Sequence, residues 1–214
     1  MDPLLQHERR GAAIRDVDAW LALTPDPDRA APGRLELVRQ FINSADLEAG
    51  TEELGDLDAL RSWLRRRGLI GSRERLEEGD LERARSVREA LRRLLEDRSA
   101  GAAVNSAALG SLNSRPAAAH LRVSFDPTGR PALEPVAGRG LDRAFAVLFA
   151  ASEHAATEGS WERLKVCSDH ECLWAFYDQS KNRSRSWCNM AVCGNRAKAR
   201  EYRRRQRATG QPAA

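Results

Sequence analysis

The chain has no long apolar run, and Met1–Arg10 is charged and lacks the apolar stretch of a signal peptide. A membrane-spanning or secreted protein is therefore not expected, and a cytoplasmic one is. Aromatics make up only 6% of residues, while Leu, Ala and Val recur at helical spacing, which disfavours an all-β fold. There is no phosphate-binding glycine loop and no zinc-protease motif, and Gly138-x-Gly140 alone is too short to count as one. His7, His120 and His154 are scattered, and no nucleophile, base and orienting acid come together in sequence. An enzyme is not expected, and no catalytic residue is assigned.

Cysteine is scarce and concentrated. All four cysteines lie in two equally spaced pairs, Cys167-x4-Cys172 and Cys188-x4-Cys193, with fifteen residues between the pairs. Thiols stay reduced in the cytoplasm, so a metal accounts for this window better than disulfides do. Four thiolates can surround one Zn²⁺ tetrahedrally, which leaves no open coordination position, so the ion would be structural. His170, inside the first pair, is the one alternative ligand.

Charge is as uneven as cysteine. Between Lys181 and Arg207 there are ten basic side chains and one acid, Glu201, a local charge of +9. The whole chain carries +4, so the remainder sums to −5. A basic end on an acidic body suits a polyanion partner at that end only. At about 100° per residue, Arg196, Arg200, Arg203, Arg204 and Arg207 share one helical stripe about 100° wide. Lys181, Arg183, Arg185 and Lys198 add to it. Duplex DNA is the expected partner. Three alternatives stand beside it: a solvated tail, an RNA or single-strand binder stacking bases on Trp174, Tyr177 or Trp187, and a zinc-stabilised protein-interaction module.

The remaining pattern predicts an α+β, mainly helical chain. Its N-terminal helical domain carries a β-hairpin, and a small four-cysteine zinc-finger domain ending in a basic helix follows. Residues 1–33 form a lead-in with one short amphipathic turn at Ile14, Val17, Trp20 and Leu21. Helices are expected over Leu35–Ile42, stopping at Asn43-Ser44, from Asp56 to Gly68, from Asp80 through Leu95, and near Ala102–Leu112. Arg65–Arg67 would complement the dipole at the second helix's C-terminus. Leu121, Val123 and Phe125 alternate as a half-buried strand, returning after Asp126-Pro127-Thr128-Gly129 through Ala132–Val136. A helix over 141–156 closes the domain at 158, with a joint at Gly159-Ser160. The finger then spans 161–207 and a tail 208–214, and loss of zinc should unfold the finger while sparing residues 34–156.

The run Trp187-Cys188-Asn189-Met190-Ala191-Val192-Cys193-Gly194-Asn195-Arg196 resembles the signature of the bacterial CGNR zinc-finger family. Cys172-Leu173-Trp174-Ala175-Phe176-Tyr177-Asp178-Gln179-Ser180, then Asn182 and Arg183, is similar to that family's stretch between the cysteine pairs. Upstream, Phe41-Ile42-Asn43-Ser44 resembles the signature of the ABATE domain that precedes this finger, with Ser44 departing from its Thr. Trp63-Leu64, Leu112-Asn113 and Trp161-x-Arg163-Leu164-Lys165 sit at further family landmarks, so the resemblance covers roughly residues 34–207. It implies a stress-induced transcription regulator with one structural zinc and a mixed α/β sensing domain. Asn43, an amide following two apolar residues, is the candidate effector contact, in a pocket where the first helix meets the hairpin; its plainer role is a cap or a satisfied core hydrogen bond. A palindromic DNA site would imply a homodimer.

Overall fold

The computed structural model describes residues 30–114, 121–125, 127–129, 131–136 and 140–208. The expected turn at Ile14–Leu21, His7, His120, Asp126, Gly138 and the tail from 209 lie outside them. Six α-helices and three two-stranded antiparallel hairpins make up the described residues. No helix among them is long and apolar enough to cross a membrane.

Helix α1, Leu35–Ile42, lies at the centre, with all eight residues buried. Its apolar side chains were legible as core, but its polar ones are buried too. Glu36 accepts from Arg39 Nη2 at 2.6 Å, Gln40 Nε2 at 3.0 Å and the Ala31 amide at 2.8 Å, so the buried charge is paired and hydrogen-bonded. After it, Ala45–Asp46 (β1) and Thr51–Glu52 (β2) form a short hairpin that periodicity did not predict. Helix α2, Leu57–Arg66, starts where Asp56 Oδ1 accepts the Ala59 amide at 2.8 Å and stops before Gly68, whose φ of +65° suits a residue without Cβ. Trp63 meets Phe41 edge to face at 5.7 Å.

Arg67 departs from the expected dipole role. It is buried, lies 3.9 Å over the Trp63 ring and donates to Gln40 Oε1 at 2.8 Å. Burial pushes its pKa down to about 10. It packs the helix end rather than solvating it.

Helix α3, Asp80–Ser99, and α4, Ser106–Ser114, pack together, and α5, Gly140–Thr157, lies on α1. Between them Leu121–Phe125 (β3) and Pro131–Pro135 (β4) pair as expected, Val123 opposite Leu133. The burial expected of that hairpin is not met. Val123 is 60% exposed and Phe125 70%, because their part of strand β3 is uncovered, while Leu121 and strand β4 pack against the helices.

The joint after α5 is not a linker. Gly159, at φ +70°, and Ser160 close α5 by donating to Ala156 O and Ala155 O, and a single 3-10 turn, Trp161–Arg163, leads into Leu164–Val166 (β5). Strand β5 pairs with Ala175–Tyr177 (β6), Val166 opposite Ala175 and Lys165 opposite Phe176. Because side chains alternate across a strand, the hairpin has two apolar faces with different owners. Leu164, Val166 and Ala175 belong to the core of α1–α5, whereas Phe176 packs among the cysteines. A five-residue π-turn, Met190–Gly194, then opens helix α6, Asn195–Ala208.

Candidate metal centre and basic surface

The two cysteine pairs are brought together by their loops. Cys167 leaves β5, with its amide bonded to Trp174 O at 2.9 Å, and the chain reverses through Asp169 O, which accepts the Cys172 and Leu173 amides at 2.9 and 3.0 Å. Leu173 takes the strain of that reversal at φ +45°. Cys188 precedes the π-turn and Cys193 lies within it, where Asn189 Oδ1 accepts the Ala191 amide at 2.9 Å.

The four sulfurs converge within 4.8 Å of one another, all buried. Cys172 Sγ lies 3.6 Å from Cys188 Sγ, which lies 3.7 Å from Cys193 Sγ. Zn–S bonds of about 2.3 Å in a tetrahedron require S···S edges of about 3.8 Å, so the cluster fits a single zinc ion. Hydrogen bonding with Cys167, followed by burial, raises the thiol pKa of Cys172 and Cys188, and Cys167 is correspondingly lowered. Four thiolates at this spacing therefore need a cation among them. His170 is exposed and stands outside the sulfur cluster.

Gly194 follows the last ligand. A Cβ there would lie 2.4 Å from Met190 Sδ, so the glycine lets the Met190 side chain fold over the start of α6.

Two of the predicted nucleic-acid arginines are occupied by the protein itself. Arg196 Nε and Arg200 Nη2 each donate at 2.6 Å to the fully buried carboxylate of Asp169. Burial works against that carboxylate, but the two guanidiniums outweigh it and hold its pKa below the usual value. Arg196 also makes two 2.9 Å bonds to Glu48 in the β1–β2 turn and lies 3.5 Å from Cys193 Sγ. Arg185 is turned inward as well, donating to Trp187 O and Cys188 O at 3.1 Å. The stripe thus doubles as the seam that fastens α6 to the zinc knuckle. Asp169 could have been suspected from sequence only as an acid between two ligands of a basic module.

The other predicted cations face outward. Lys181, Arg183, Lys198, Arg203 and Arg207 are exposed and make no ion pair among the described residues, while Arg204 pairs with Glu201 at 2.7 Å. The loop bearing Lys181 and Arg183 is held at its base by buried Asp178, which accepts from Lys165 Nζ at 2.7 Å, the Arg185 amide at 2.9 Å and the Ser180 amide at 3.0 Å. Burial raises the pKa of this carboxylate, and Lys165 with the two amides brings it down to about 2.

Asn43 is a seam residue rather than a pocket residue. Its Nδ2 donates to Ala175 O at 2.8 Å and its Oδ1 accepts the Ala175 amide at 2.8 Å. The plainer of its two expected roles, a satisfied core hydrogen bond, is the one it fills. Two clefts flank the zinc module, one of about 130 Å³ beside Cys167, Ser168 and His170, the other of about 360 Å³ between Asp46, Glu48, Trp174 and Val192. Neither lies where α1 would meet the β3–β4 hairpin.

The comparisons agree with this geometry. No curated protein matches the chain. The model of the CGNR zinc finger matches residues 163–206, a span that holds all four cysteines, the Asp169 clamp and most of α6. The model of the ABATE family, described as "Putative stress-induced transcription regulator", matches residues 35–158. That second match covers more than half of the chain, and the two follow one another from α1 to α6: the protein belongs to the ABATE family and carries a CGNR zinc finger at its C-terminal end.

Proposed function

We propose that this protein is a transcription regulator that binds duplex DNA through its zinc module and has no catalytic role. The observation that carries the reading is the Asp169 clamp. By tying Arg196 and Arg200 to a buried carboxylate beside the zinc, it turns the rest of α6 into a rigid arm. Lys198, Arg203 and Arg207 then leave a fixed surface, with Lys181 and Arg183 on an anchored loop. Cations on a rigid frame lose less freedom on meeting phosphates than cations on a fraying tail do. Single-strand stacking is less favoured, because Trp174 and Trp187 pack against the zinc cluster and Tyr177 against the helical core.

Titration of zinc-loaded protein onto a labelled duplex at several salt concentrations tests this. About five phosphate contacts at −0.9 each predict a log–log slope near −4.5. Binding that ignores salt, or tighter binding to single strands, would count against it.

Effector sensing is the second part of the proposal, and the 360 Å³ cleft supports placing it at the seam rather than near Asn43. A ligand there would touch Glu48, the carboxylate that Arg196 grips. Thermal-shift screening of wild type against Trp174→Ala checks the assignment, since hits in the cleft should lose their shift in the variant.

A further inference from the structure

Helix α6 has 14 residues, about 21 Å in length, which a major groove about 12 Å wide admits. With Arg196 and Arg200 turned to Asp169, the outward side of the helix is a different set of residues from the arginine stripe. At about 100° per residue, Asn195, Ala199, Tyr202 and Gln206 fall within an arc about 60° wide on that side. Lys198 and Arg205, the latter bonded to Glu201 at 2.7 Å, border the arc on one flank; on the other runs the arginine stripe, with Arg196 and Arg200 held by Asp169 and Arg203 and Arg207 exposed beyond them. An uncharged strip able to hydrogen-bond is thus enclosed by cations on both sides, the layout a helix needs to meet base edges at its centre and the two phosphate backbones at its margins.

The strip is organised as well as exposed. Tyr202 is 64% exposed, and its hydroxyl accepts from Gln206 Nε2 at 2.8 Å. Asn195, which is exposed, donates through Nδ2 to Ala191 O at 3.0 Å, a bond that orients the amide and uses one of its two N–H groups. Val192, the residue before Cys193 in the turn that leads into the strip, is 50% exposed. An exposed aromatic on a helix of strongly polar composition calls for a partner surface.

We infer that Asn195, Ala199, Tyr202 and Gln206 are the sequence-reading strip of α6 in the major groove of duplex DNA, and that Arg196 and Arg200 are positioning residues that never leave the protein. The inference rests on the DNA-binding reading above. Its chemistry commits to A·T pairs: an amide pairs bidentately with adenine N6 and N7, and the Ala199 methyl group suits a thymine methyl.

The test is selection of duplexes from a random library by zinc-loaded full-length protein, repeated with N195A, Q206A and R203A. Asn195 and Arg203 are exposed and Gln206 is half-buried, none of them a zinc ligand, so zinc content should match wild type and melting should fall by a few degrees at most, and both are measured. N195A and Q206A should each weaken the selected duplex by about ten-fold, relax the preference for A·T at one position, and leave binding to random duplex unchanged. R203A should weaken selected and random duplexes alike. Replacing thymine by uracil at one selected position should cost wild type affinity but cost A199G nothing. An unchanged consensus in both amide variants overturns this assignment while leaving DNA binding intact. Retention of no duplex by folded, zinc-loaded protein removes the DNA reading and this inference together.

Discussion

Asn43 and Ala175, 132 positions apart, exchange two 2.8 Å hydrogen bonds, the side-chain amide of one acting as a strand partner for the backbone of the other. With Arg39 reaching the same carbonyl at 3.5 Å and Leu164 and Val166 inside the helical core, these bonds make the zinc module and the ABATE domain one packed body. Asn43→Ala leaves the buried Ala175 N–H unpaired and its carbonyl with only the 3.5 Å contact to Arg39, and each lost bond of this kind costs about 1–3 kcal/mol. The variant should lose about 3 kcal/mol in urea denaturation followed by tryptophan fluorescence, with zinc stoichiometry unchanged. A loss below about 0.5 kcal/mol would mean that water replaces the amide.

Zinc removal should reach further than the finger. The β5–β6 hairpin presents Phe176 to the cysteines and Val166 and Ala175 to the helices, so slackening one face disturbs the other. Cys188→Ser, or a chelator, should abolish protection of α6 in hydrogen exchange and also lower protection in α1 and at the C-terminal end of α3. This revises the expectation that residues 34–156 would be spared. Unchanged exchange in α1 would restore that expectation and argue for independent units.

The helices were legible because their signals are local: Asp56 as a cap, Gly68 as a stop, and the stripes of α1, α3 and α5. The metal site was legible for the same reason, since two x4 pairs carry their own geometry. What escaped was non-local. Periodicity places Arg196 and Arg200 on an exposed stripe, but only the fold brings Asp169 and Glu48 to them. Alternation makes Val123 and Phe125 look half-buried, but nothing in a strand says whether a second layer covers it. The β1–β2 hairpin is two residues a side, below the length at which alternation is a pattern.

Asp178 gives the fold a dependence on acid. Its pKa in the folded protein is about 2, against an ordinary value of about 3.9 in an unfolded chain. A depressed carboxylate contributes stability that is complete above the unfolded value and is lost as pH falls through the folded one. On the order of 2 kcal/mol should therefore disappear between about pH 4 and pH 2. Asp178→Asn should remove that part of the acid dependence, seen as a flatter stability curve across this interval, and should loosen the Lys181–Arg183 loop at neutral pH. Equal acid slopes in both proteins would place the titrating group elsewhere.

Asp169 tests whether the arginines it holds are anchors or contacts. Removing the carboxylate from Arg196 and Arg200, each still 28–31% exposed at the side chain, does not strand a buried charge, because water reaches both guanidiniums. The loss is two charge-assisted hydrogen bonds, each weakened by that solvent access. Asp169→Asn should then raise proteolytic cleavage within α6 while the four sulfurs keep their metal. Two opposite changes in DNA affinity follow from the two roles. If the arginines are anchors, Arg196 keeps Glu48 and Arg200 keeps Glu171, but the helix no longer holds its direction, and affinity for a selected duplex falls by about ten-fold with random-duplex binding unchanged. If they are contacts that the clamp withholds, both affinities rise together. The first result is the one expected, because Asp169 is fully buried beside the zinc ligands and takes a 2.6 Å bond from each of the two arginines.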